Sequence, residues 1–255
     1  YFSRVYDAIL DEGTPDERPL WPALWPMERL IAKKKKVGSV SFNKEMRNKC
    51  GAEESPFREE WFKYYERIQI IRMPLIVATA VDPSAKSGEN NDYKAVVTVG
   101  LERVSMVFRC LHAWIRKASI GEMFAAAYAQ HDEYGGAVAI EENMFQDFLH
   151  DAIANYAQKA GRYLPWRPVT HLTNKEGRII GTCSYLVEYG KLLFEKGHSD
   201  QDRLIEQFIY ILNANINDDG PDACETAIKM LQGGCGEIEY ESVSQRRFAE
   251  HKGAF

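Results

Sequence analysis

The sequence predicts a mixed α/β domain: a central mixed β-sheet with antiparallel first three strands, flanked by helices. Three observations carry this reading. An apolar run of strand length, MPLIVATAVD, ends abruptly in an acid. Two further strand-like segments follow, joined to each other by a short link that suits a hairpin. After them, segments with helical spacing of apolar residues surround one more apolar strand, GGAVAIE.

The elements follow in order. Residues 1–70 are rich in aromatic and charged residues and read as a linker of short helices and turns with no core of its own. Pro26 suits the first turn of a helix beginning at Met27. The lysines at 33–36 read as the solvated C-terminal end of that helix, where cations are favoured, with DNA contact as the alternative. Residues 57–65 suggest a second short helix. Residues 71–232 form the predicted folded domain. Its strands are expected at 73–82, 93–100, 103–114 and 135–141, with a short piece at 168–171 and an extended KLLFEKG near 191–197. Its helices are expected at 120–129, 145–160, 175–190, 203–212 and 221–231. The polar tail, 233–255, is expected to be loosely ordered.

Composition narrows the function. The chain has 255 residues, 45% of them hydrophobic, enough for one good core and too apolar for a wholly disordered protein. The net charge of -5 argues against binding nucleic acid with a wholly basic surface, although a local basic groove remains compatible with it. No stretch of about eighteen uncharged apolar residues occurs, so a membrane span is not expected. The N-terminus has no initiating Met, basic stretch or small-residue cleavage site, and the chain is expected to be an excised part of a longer protein. The five cysteines are irregularly spaced and form no CxxC, which points to a reducing compartment and away from structural zinc. Neither a GxGxxG after the first strand nor a GxxxxGK[ST] is present, so a dinucleotide fold and the ATP-binding loop of a motor are both excluded.

Three acidic positions stand out. Asp82 ends the first buried strand, and Glu141 ends the fourth. The segment DDGPDA supplies Asp218, Asp219 and Asp222 at the start of the final helix. Taken singly, each has a plain structural explanation: a turn residue before Pro83, solvated acids opening a helix, or helix-start acids favoured by the dipole. Together they can converge on one point and then repel one another unless cations sit among them. Oxygen donors of this kind suit two Mg²⁺ or Mn²⁺ ions, one activating water and one stabilising the leaving 3′ oxygen of a phosphodiester. Asp92, just before the second strand, is a further candidate ligand.

These residues resemble the C-terminal nuclease domain of the large terminase subunit, the DNA-packaging motor of tailed bacteriophages. The resemblance is carried by VATAVDPSAKSGENNDYKAVVTVG, AVAIEENMFQDFL, NKEGRIIGTCSYLVEYGKLLF and NDDGPDACETAI, which lie in the family's order over residues 77–228. Upstream, LWPALWPMERL and GSVSFNKEMRN look like the segment joining the packaging ATPase to the nuclease. The resemblance implies an RNase H-like fold and two-metal cleavage of double-stranded, concatemeric viral DNA during genome packaging. It maps the first strand acid to Asp82, the second to Glu141 and the last to Asp219, with Asp222 next and Asp218 third. Asn217 stands where many relatives have His. It also implies partners in the full protein: an N-terminal ATPase domain, the portal protein and the small terminase subunit. The setting would be the cytoplasm of an infected or prophage-carrying bacterium, and the isolated domain would be a monomer. The rival readings are another RNase H-like nuclease, of the Holliday junction resolvase or recombinase type, and a non-catalytic motor docking module.

Candidate DNA contacts are Lys86, in the loop after Asp82, and Lys175 and Arg178, which share one helix face in a locally basic stretch. No metal role is assigned to the six scattered histidines. Cys183 and Ser184 have no evident triad partners, and Trp114 and Trp166 read as core or rim packing.

Overall fold

The structure, a computed structural model, describes residues 6–48, 55–83, 93–141, 146–171, 174–213 and 216–233. Its elements in chain order are β1 (Ile9–Leu10), β2 (Arg18–Pro19), α1 (Met27–Arg47), β3 (Lys63–Tyr65), β4 (Leu75–Asp82), β5 (Tyr93–Glu102) and β6 (Val107–Lys117). They continue with α2 (Ile120–Tyr134), β7 (Ala137–Glu141), α3 (Gln146–Ala160), β8 (Trp166–Val169), α4 (Lys175–Glu188), β9 (Leu192–Glu195), α5 (Ser199–Ile209) and α6 (Asp219–Gln232).

Seven strands form one mixed sheet in the order β3-β9-β6-β5-β4-β7-β8. The expected antiparallel meander β4–β5–β6 forms its centre. β7 then joins β4 in parallel, and β8 joins β7 in parallel. β4 and β5 are apolar along most of their length because both faces of the sheet are covered. On one face, Ala78, Ala80, Val97, Val99 and Ile115 pack with residues of α4, α5 and α6. On the other, Val81, Val96, Val138 and Ile140 pack with Met123, Phe124 and Ala127 of α2. Trp114 and Trp166 pack against this second cluster, in the packing role the sequence suggested.

Two glycines set close approaches. Gly136 enters β7 with φ +85°, and a Cβ there would lie 2.7 Å from the Val77 carbonyl carbon. Gly220 lies in the first turn of α6, where a Cβ would meet Gln207 Oε1 and come within 2.5 Å of Ile115 Cδ1. The absent side chains let β7 pair with β4 and let α6 lie directly on β6 and α5. Ten consecutive residues at the start of α6, Asp219 to Ile228, are buried as a result.

Three local expectations change. Residues 57–65 are not a helix. They form a single 3-10 turn, Glu59–Trp61, and the edge strand β3, and Phe57 and Phe62 lie in the core. β3 pairs with β9 in parallel, so the stretch is tied to a strand about 130 residues away by pairings such as Tyr64↔Phe194. The lysines at 33–36 do not end their helix either. They precede Gly38, whose φ of +80° interrupts α1, and the helix then resumes to Arg47. Finally, α5 begins at Ser199 rather than at 203.

The break in α1 is also a dock. Ser39 donates from its backbone N (2.8 Å) and its Oγ (2.5 Å) to the Glu188 carboxylate at the end of α4. A side chain at Gly38 would strike Tyr185 Cβ at 2.6 Å.

Candidate active site

β4 and β7 run parallel with Val81 opposite Ile140, so their last residues, Asp82 and Glu141, emerge side by side at one end of the sheet. The first turn of α6 lies over the same end. There Asp219 and Asp222, three apart, share a helix face, with Asp218 as the N-cap residue. Carboxylates at a helix N-terminus are favoured by the backbone dipole, which offsets part of the cost of gathering them. Asp82, Asp219 and Asp222 are buried, and Glu141 and Asp218 are half-buried.

The first turn of α4 supplies the cations. Its start is set by Asn174, whose side chain accepts from the Gly177 N–H at 2.9 Å. Lys175 Nζ lies 3.0 Å from Asp218, 3.1 Å from Asp222, 3.3 Å from Asp82 and 3.7 Å from Asp219. Arg178 donates to Asp222 Oδ1 at 2.5 Å and to Glu225 Oε2, and Thr182 Oγ1 donates to the other oxygen of Glu225 at 3.0 Å. Asp222 Oδ2 is buried and accepts no well-directed hydrogen bond despite its ion-pair distance to Lys175.

Burial, and after it the crowding of charges, shows in the protonation behaviour. Burial pushes the Asp82 carboxyl up to about 7; Lys175 pulls it back, while Asp219, Glu141 and Asp222 add to the rise. Burial also raises Glu225, against the pull of Arg178 and Thr182. For Lys175, burial opposes the charge, but Asp82, Asp222, Asp218 and Asp219 outweigh it and hold the ammonium firmly protonated.

His171 joins this site without any spacing motif to announce it. Its Nε2 lies 3.0 Å from both Thr226 Oγ1 and Arg178 Nη1. One ligand atom each from Glu141, His171 and Asp222 lie within 4.8 Å of one another, close enough to hold a metal ion. Burial and the neighbouring Arg178 depress the imidazole, keeping it in the neutral form a ligand needs. Only its place four residues before Lys175 could have pointed to it.

The structure thus gathers Asp82, Glu141, Asp218, Asp219, Asp222, Lys175 and Arg178, all singled out in the sequence. It gives Arg178 carboxylate partners inside the cluster and leaves its side chain 9% exposed, so its guanidinium faces inward and not toward a DNA backbone. Lys86 and Asp92 lie outside the described residues. Asn217 is exposed at the edge of the cluster. Among the described residues, six carboxylates counting Glu225 face two cations, and the oxygen-rich donor set with one imidazole suits a divalent metal ion.

No family model and no curated protein matches the chain. Solved structures do. The large terminase of a thermophilic bacteriophage is 9% identical and aligns over 81% of this chain and 52% of its own, with a TM-score of 0.53. The human cytomegalovirus terminase nuclease domain is 15% identical, over 71% of this chain and 96% of its own, at a TM-score of 0.51. The P22 large terminase nuclease domain is 17% identical, over 69% of this chain and 90% of its own, at 0.49. The chain spans about half the length of the thermophilic phage's large terminase. At these identities the likeness is one of fold, and the seven-stranded mixed sheet with its flanking helices is the RNase H-like fold of the terminase nuclease domains.

Proposed function

We propose that this chain is a metal-dependent endonuclease that cleaves double-stranded, concatemeric viral DNA during genome packaging. The observation that carries the reading is the convergence of Asp82, Glu141, Asp219 and Asp222 from two neighbouring parallel strands and one helix N-terminus. A docking module has no need to bury so much like charge at one point. Asp82, Glu141, Asp219 and Asp222 would hold two Mg²⁺ or Mn²⁺ ions, with His171 beside Glu141 and Asp222 and with Asp218 at the margin. Such ions supply an activated water and stabilise the leaving 3′ oxygen.

The protein's own residues do the positioning. Arg178 and Thr182 anchor Glu225, and Arg178 then fixes the rotamer of Asp222, leaving the Asp222 Oδ2 turned into the cluster. Burial of Asp82 at the end of β4 and of Asp219 at the start of α6 keeps bulk water from competing for these oxygens. Lys175, on the more open side, is placed to meet a DNA phosphate. In the whole protein the partners would be a packaging ATPase domain, the portal protein and the small terminase subunit, in the cytoplasm of the bacterial host. Among the described residues no helix is long and apolar enough to cross a membrane.

The test is incubation of supercoiled plasmid with Mn²⁺, Mg²⁺ or a chelator, using the wild type beside Asp82→Ala and Glu141→Ala. Nicking and linearisation by the wild type with metal alone, and none by either variant, is expected. Equal cleavage by all three proteins overturns the assignment, and a preference for branched over linear duplex would move it to the resolvase reading.

A further inference from the structure

We propose that Lys175 is an internal competitor for the metal, its ammonium and a divalent cation contending for the same carboxylates, so that this side chain sets the threshold for metal loading. The inference rests on the nuclease reading only in taking the carboxylates to be metal ligands.

Three observations carry it. First, the Lys175 ammonium lies within 3.0–3.7 Å of Asp82, Asp218, Asp219 and Asp222, acids drawn from two separate elements. An ammonium has three donors and cannot satisfy four carboxylates at once. It therefore acts as a central point charge, which is the part a metal ion would take.

Second, among the described residues it is those acids that favour a cation there. Lys175 is the first residue of α4, and a helix N-terminus repels positive charge. Once a divalent ion neutralises the carboxylates, the attraction that outweighs this repulsion is lost.

Third, Lys175 differs from its neighbour in freedom to leave. The Arg178 side chain is 9% exposed and seated on Glu225, which is fully buried. The Lys175 side chain is 35% exposed and has four flexible methylenes. The same displacement that admits the metal would turn the ammonium outward, toward the side from which a DNA phosphate approaches. Loading and substrate capture would then be linked through one residue: metal frees the lysine, and the freed lysine meets the phosphate.

Mn²⁺ binding to the whole chain, followed by electron paramagnetic resonance of the free ion, tests the idea in the wild type, Lys175→Met and Lys175→Arg. Lys175→Met removes the charge and keeps the stem, and its Mn²⁺ affinity is expected to rise about tenfold or more. Lys175→Arg keeps the charge and is expected to bind no more tightly than the wild type. A second measurement needs no variant. Acetic anhydride labelling of the wild type, read by mass spectrometry, should modify Lys175 more when Mn²⁺ is saturating than in chelator. Equal or weaker Mn²⁺ binding by Lys175→Met, or labelling that does not rise with Mn²⁺, overturns the competition and leaves the nuclease reading standing. If no protein in the series binds Mn²⁺ at all, the metal-dependent reading of the site falls and takes this proposal with it.

Discussion

Asp82 is the residue whose chemistry is most altered by its surroundings, because it is buried among three other acids. Its carboxyl, pushed up to about 7 from an ordinary 3.8, binds its proton more tightly in the folded state than in the unfolded one. The stability it lends is full below the unfolded value and is lost as pH rises through the interval to the folded one. In chelator, Asp82→Asn should therefore gain in thermal stability relative to the wild type as pH rises from about 4 to about 7. A difference in Tm that does not change with pH would mean that Asp82 is not the acid whose protonation is shifted. Arg178 makes the opposite kind of case. Arg178→Met leaves Glu225 buried without its countercharge and Asp222 with Lys175 alone, and should cost about 3–5 kcal/mol in urea unfolding. It should also reduce cleavage by freeing the Asp222 rotamer. Of these residues, Asp82 and Asp222 were legible in the sequence because they lie at the end or the start of an element, whereas Glu225, in the middle of α6, was not. The inward turn of Arg178 was not, since a basic residue on a helix face looks the same whether it meets a phosphate or a buried carboxylate.

At the scale of elements, the first turn of α6 is what brings the third acid to the sheet, and Gly220 is what permits it. Gly220→Ala must push aside Gln207, Ile115 or Leu204, at a cost of about 1–3 kcal/mol for overpacking. Because the shift falls between Asp219 and Asp222, plasmid cleavage should drop further than the loss of stability explains; a variant destabilised but fully active would show that α6 can move without disturbing the acids. The strands β4, β5, β6 and β7 could be read from sequence because they are apolar runs of strand length buried on both faces or packed at the centre. The edge strand β3 could not: it has three residues, too few for any periodicity, and is defined by pairing with the distant β9, whereas β8 and β9 were each expected as a short extended piece. The break in α1 was hidden for a related reason: a glycine inside a helical pattern has no fixed meaning until Tyr185 and Glu188 are found against it.

For the whole molecule, a net charge of -5 on its own argues against an affinity for DNA. Much of that charge has a local address: among the described residues, six carboxylates gather around two cations at one end of the sheet. Occupation by divalent ions should reverse the local sign. Binding of a short DNA duplex is thus expected to be weak in chelator, stronger with Ca²⁺, an oxygen-seeking ion of the same charge, and weaker again as salt is raised. Fluorescence anisotropy of a labelled duplex measures this. Binding that is indifferent to divalent ions would mean that DNA is held by another surface.

By itself, the sequence determined the fold class, the order of the central strands and the positions of the acids. These follow from local patterns: apolar runs, their lengths, and charged residues at their ends. Only the tertiary structure decided how those acids meet, that Lys175 lies among them while Arg178 backs Asp222, and that His171 belongs to the group. Those relations depend on the parallel register of β4 with β7 and on the close seating of α6, α4 and the sheet. They join residues up to about 140 positions apart, such as Asp82 and Asp222 through Lys175, and no local pattern records a contact between segments that far apart.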